Sequence, residues 1–104
     1  MSLPYFQSDR LNKPTTLRLT QLLPGIPAQV ERLVADAAQA DGPLLIRLGE
    51  LGFIPGEPVQ LLVRGPGGRE PLAVLVGETM FALRWVEAHC VEVSLGDQRQ
   101  VAAA

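Results

Sequence analysis

Apolar residues along this chain come in short runs broken by Gly and Pro, and the spacing changes character once. Thr15 to Leu19, rich in Thr and Leu, suits a short strand. Leu22-Leu23-Pro24-Gly25 reads as a turn, since Pro sets φ and Gly accepts positive φ. Ala28 to Ala35 follows as a second strand with flawed alternation. Ala28, Val30 and Val34 share a face with Arg32, which is therefore expected at an edge or beyond the end of the sheet. A polar connection over Asp36 to Gln39 leads to the one strongly helical window, Pro43 to Leu51. There Leu44, Leu48 and Leu51 recur at helical spacing with Leu45 beside them, and Arg47 and Glu50 lie on the opposite side. Asp41 or Gly42 can cap its start, Pro43 fits its first turn, and Gly52 is placed to end it.

Beyond the helix the period returns to two. Ile54-Pro55-Gly56-Glu57 carries the signature of a type II turn, and Val59, Leu61 and Val63 line one face of the strand after it. Gly65 to Gly68 is a loop. Leu72 to Val76 is apolar on both faces, as a central strand would be. Gly77-Glu78 reads as a two-residue type II′ hairpin turn, returning through a strand over Thr79 to Arg84. A helix over Glu78 to Cys90 competes on composition, but a strand followed by one helical turn at Trp85 to Ala88 fits better. His89 to Leu95 is expected as the last strand, with Val91, Val93 and Leu95 on one face. Five or six short strands, one helix and tight turns make a small antiparallel barrel, which removes exposed strand edges by closing on itself.

Composition narrows the function. The 104 residues allow one domain with one core; ten glycines and nine prolines, spread as isolated punctuation, match many tight turns. Nine basic and eleven acidic residues give a net charge of −2 without a basic cluster, which argues against nucleic acid as the partner. One cysteine, Cys90, permits no internal disulfide and fits a reducing cytosol. Met1 to Arg10 lacks the basic stretch and apolar run of a signal peptide, and no apolar run approaches the ~20 residues that cross a bilayer, so direct membrane insertion is not expected.

From Arg47 to Gly56 the chain reads Arg-Leu-Gly-Glu-Leu-Gly-Phe-Ile-Pro-Gly. Then come the strand Val59 to Val63, a Gly-Pro pair, a strand opened by Pro71-Leu72, Gly77, Ala82-Leu83-Arg84, Glu87-Ala88 and a closing Val91-Glu92-Val93. In order and spacing this succession resembles the FeoA family, as does the opening turn at Leu22, Pro24 and Gly25. The resemblance spans roughly residues 15 to 95. It implies a mainly β, SH3-like antiparallel barrel of five or six strands, with one inserted α-helix and a short helical turn before the last strand. It divides the chain into an N-terminal arm (1–14), a FeoA-type domain (15–96) and a C-terminal tail (97–104). It also implies a cytoplasmic, non-enzymatic accessory protein that works with FeoB, the membrane ferrous-iron transporter, and meets the inner membrane through that partner. Homo-oligomers are compatible with this role. The long arm and the lack of a basic balance depart from the family's usual pattern.

The chemistry within reach is sparse. His89-Cys90 is the only pair of soft metal ligands, with Glu92 nearby. Zinc asks for three or four protein ligands, and neighbours on a strand point to opposite faces. No cofactor is required on this reading, and any divalent transition-metal binding is expected to be weak. Gly65 to Glu70 is Gly-rich but lacks the Lys and hydroxyl of a phosphate-binding loop. Ser2, Ser8 and Ser94 lie in the arm or near the C-terminus, and the one His and one Cys are neighbours on an expected strand, where a dyad is strained, so no catalytic residue is expected. Five aromatics are few for a Pro-rich-peptide groove, and Phe53 and Trp85 read first as packing. The partner-binding candidates are Arg47 and Glu50 on the helix and Gly65 and Arg69 in the loop. Two rival readings remain: a metal-binding or metal-responsive module, and a peptide-binding adaptor unrelated to iron.

Overall fold

The computed structural model describes residues 16–35 and 42–95. The arm, the connection at Asp36 to Gln39, the proposed cap Asp41 and the tail lie outside the described residues. Six strands form one antiparallel sheet: β1 (Thr16–Arg18), β2 (Ala28–Leu33), β3 (Pro58–Arg64), β4 (Leu72–Val76), β5 (Thr79–Leu83) and β6 (Val91–Ser94), in the order β1-β6-β2-β3-β4-β5. Helix α1 (Gly42–Leu51) lies between β2 and β3, and the single turn α2 (Trp85–Ala88) precedes β6.

The core is what the alternation promised. Ala28 and Val30 of β2, Val59 and Leu61 of β3, Leu72, Val74 and Val76 of β4, and Val91 and Val93 of β6 are buried. Leu48 of α1, Phe53, Leu19 and Leu22 are buried in the same core. Each buried Val, Leu or Phe side chain contributes about 1.5–3 kcal/mol by leaving water. Leu44, Leu45 and Leu51 pack on it half-buried, so the helical stripe faces the sheet. The C-terminus of α1 is closed by two backbone bonds, Gly52 N–H to the Gly49 carbonyl and Phe53 N–H to the Leu48 carbonyl, both 3.1 Å. This pairing satisfies carbonyls that the helix leaves over and carries Phe53 into the core. Gly49 is not required by packing: a Cβ there would meet nothing closer than Leu33 Cδ1, at 3.9 Å.

Three expectations need correction. The face Val59, Leu61, Val63 breaks at Val63, which is 57% exposed. The β3–β4 register shifts between Leu61 and Val63, and such a bulge turns the following side chains to the other face. A second shift, between Val30 and Arg32 where β2 pairs β6, explains the flawed alternation there. It turns Arg32 outward opposite Glu92, with Nε 2.8 Å from Oε1, while Leu33 swings inward. Arg32 thus lies within the β2–β6 pairing and not past its end, at a point where β2 has left its pairing with β3, so of the two alternatives the edge holds. Finally, His89 and Cys90 do not belong to the last strand. The backbone N–H groups of His89 and Cys90 bond back to Trp85 and Glu87, so both residues close α2, and β6 begins at Val91.

Candidate functional site

The turn that replaces the start of the last strand organises a polar corner among the described residues. Arg84 and Glu87 fold α2 through Arg84 N–H donating to Glu87 Oε1, 2.8 Å. This sets Trp85 half-buried at the head of the turn and His89 one turn later, their rings stacked 6.2 Å apart and 13° from parallel. The Gly65 to Glu70 loop reaches the same place. Gly65 N–H bonds the Pro71 carbonyl at 2.8 Å, and a Cβ on Gly65 would run into the Glu70 carbonyl, so the loop's base closes only around glycine. The Glu70 carboxylate then accepts the backbone N–H of Trp85 (2.8 Å), and the Arg69 guanidinium lies 4.3 Å from the centre of the indole. Such a cation over a half-buried indole is held by about 0.5–2 kcal/mol.

On the far side of His89 the network continues inward. Nδ1 is 2.9 Å from Thr20 Oγ1, and the His89 carbonyl accepts Arg18 Nη1 at 2.6 Å. Arg64 Nη2 donates to the carbonyls of Thr20 and Leu22 at 2.8 and 2.9 Å. A Thr hydroxyl on an imidazole has the outline of a nucleophile and its base. Thr20 is 3% exposed, however, so no substrate reaches it, and the contact serves to orient the ring.

The remaining candidates scatter. Cys90 is wholly buried with Sγ 3.3 Å from the Val86 carbonyl, which removes it from any surface metal site. Glu92 is committed to Arg32; the approach is off the N–H axis, an ion pair and not a hydrogen bond. Among the described residues, no three His, Cys, Asp or Glu side chains converge as metal ligands would. Arg47 reaches from α1 to Glu87 on α2, 3.7 Å, while Glu50 faces solvent. Of the four partner-binding candidates, then, Gly65 and Arg69 join Trp85 and His89 in one corner. Trp85 and Glu70 are members that sequence reasoning missed, because their contacts depend on how the loop closes.

A family model for the FeoA domain matches residues 17–95. The chain belongs to the FeoA domain family. Among solved structures it is similar to FeoA of Stenotrophomonas maltophilia complexed with zinc, with 43% identity over 74% of this chain and 88% of that one and a TM-score of 0.65. That protein is described as a prokaryotic SH3 domain protein and proposed as an activating factor for ferrous iron transport. It is also similar to iron(II) transport protein A of Clostridium thermocellum, with 33% identity over 75% of this chain and 44% of that one, TM-score 0.63. FeoA of Chlorobium tepidum follows with 27% identity over 75% and 69%, TM-score 0.62. No curated protein matches the chain. The FeoA fold is thus SH3-like here as well, a mainly β sheet with two helices. No helix among the described residues is long and apolar enough to cross a membrane.

Proposed function

We propose that this FeoA-family chain, an accessory component of ferrous iron transport, acts by docking on the cytosolic part of the transporter FeoB and performs no chemistry itself. The observation that carries the reading is the FeoA domain match over 17–95. The Arg69–Trp85–His89 corner supports it by offering a docking point of defined chemistry. A guanidinium pre-stacked on an indole keeps its N–H fork in one plane and loses little freedom on meeting a carboxylate. An acidic segment of the transporter is the partner this corner suits. The zinc complex of the Stenotrophomonas protein favours one second reading, a metal-responsive module using His89.

The test is complementation of ferrous-iron uptake in the source organism after deletion of this chain. Restoring the wild type rescues uptake, and His89→Ala and Cys90→Ala variants that remain folded rescue equally well. Arg69→Glu rescues poorly while its melting temperature stays within a few degrees of wild type. Loss of uptake in the His89 variant, with Arg69→Glu fully active, decides for the metal reading.

A further inference from the structure

Strand β5 ends the sheet order, so one edge pairs β4 and the other has no partner among the described residues. Free edges are normally guarded by charge or proline within the strand. Thr79-Met80-Phe81-Ala82-Leu83 contains neither, Met80 is 63% exposed, and Thr79 and Ala82 are exposed as well. The charges stand just outside it: Glu78 before and Arg84 after, both exposed.

The hairpin decides which backbone groups this edge offers. The two-residue turn Gly77-Glu78 closes on the Val76–Thr79 pair, which such a turn makes a hydrogen-bonded pair. Bonding alternates along an antiparallel ladder, so Thr79, Phe81 and Leu83 spend their N–H and C=O groups on β4. Met80 and Ala82 turn theirs to the open side.

We propose that this edge binds β5 of a second copy of the chain, antiparallel about a two-fold axis at Phe81. In that register Met80 lies opposite the partner's Ala82 and Ala82 opposite the partner's Met80, each pair exchanging two backbone bonds. Glu78 meets the partner's Arg84 at one end and Arg84 the partner's Glu78 at the other, since a two-fold interface repeats every pair. Charge complementarity selects both the occupant and the register. Pairing Met80 with Met80, or Ala82 with Ala82, leaves Glu78 and Arg84 facing uncharged or absent partners. Five residues of strand fall short of the area of a permanent interface, so the dimer is a weak one.

Sedimentation equilibrium on the full chain over rising concentration tests this. The wild type shows reversible dimerisation. E78R and R84E each set like charges face to face at both ends and weaken association about tenfold. An equimolar mixture of the two variants recovers it, because every pair in the mixed dimer is again opposite. R84E also loses the ion pair with the buried Glu87, Nη2 to Oε2 3.8 Å, and sets a second carboxylate against it. Met80→Lys therefore provides a reading of the same edge that touches neither charge, and it too yields monomers. Amide exchange at Met80 and Ala82 slows as concentration rises. The proposal is overturned by a wild type that stays monomeric, by dimers indifferent to E78R and Met80→Lys, or by a mixture that fails to recover association. It is equally overturned if those two amides are protected at every dilution, which would make a segment of the same chain the occupant of the edge.

Discussion

Gly56 stands at the third position of the Ile54 to Glu57 turn with φ at +92°, and Glu57 N–H bonds the Ile54 carbonyl across it at 3.1 Å. Its own N–H reaches the Val30 carbonyl at 2.8 Å, fastening the turn to β2. No atom lies within 4 Å of where a Cβ would be, so space is not the constraint and backbone conformation is. Gly56→Val accordingly costs about 1–3 kcal/mol, because a β-branched residue is strained at positive φ. Gly56→Asn, which tolerates that region better, costs clearly less. Thermal melts of the two variants check the ordering; equal melting temperatures would place the constraint elsewhere.

Between elements, one carboxylate links α1 to α2. Glu87 is 7% exposed, caps Arg84 N–H with Oε1, and presents Oε2 to Arg47 at 3.7 Å and Arg84 at 3.8 Å. Arg47 is 65% exposed, so solvent screens its end of the pair. Arg47→Glu then loses on the order of 1 kcal/mol by opposing a buried carboxylate, whereas Glu50→Arg on the open side stays within about 0.5 kcal/mol. Urea unfolding separates the two, and equal midpoints would contradict the assigned contact. A docking test at Arg47 is therefore cleaner with Gln than with Glu. The sequence made the helical stripe at Leu44, Leu48 and Leu51, the Pro55-Gly56 turn, the Gly77-Glu78 hairpin and the turn of helix at Trp85 readable, because each depends on local periodicity or a residue's intrinsic φ. Bulges after Val30 and Leu61 were not readable, since pairing across strands decides where an extra residue is absorbed. The corner was half readable for the same reason. Arg69 and Gly65 showed themselves as a basic residue in a Gly-rich loop, but the Arg69–Trp85 contact spans the whole β4–β5 hairpin.

At the scale of the molecule, an SH3-like FeoA domain places the Arg69 loop, an indole and an imidazole at one corner, and on β5 a strand edge that has no partner among the described residues. The two surfaces are different in kind: one offers a cation held ready for a carboxylate, the other a row of backbone groups. A partner protein can use the first while a second copy uses the other. Docking energy concentrates in a few desolvated residues, with Arg and Trp prominent among them, and Arg69 on Trp85 is where this chain joins the two. The most direct measurement is capture of FeoB from source membranes by the immobilised chain, with FeoB identified by mass spectrometry and retention followed against salt. The account predicts that wild type retains FeoB, that retention falls as salt screens the Arg69 contact, and that Arg69→Glu and Trp85→Ala lose it while His89→Ala and Cys90→Ala keep it. FeoB absent from the wild-type capture, or held equally by Arg69→Glu, would contradict it.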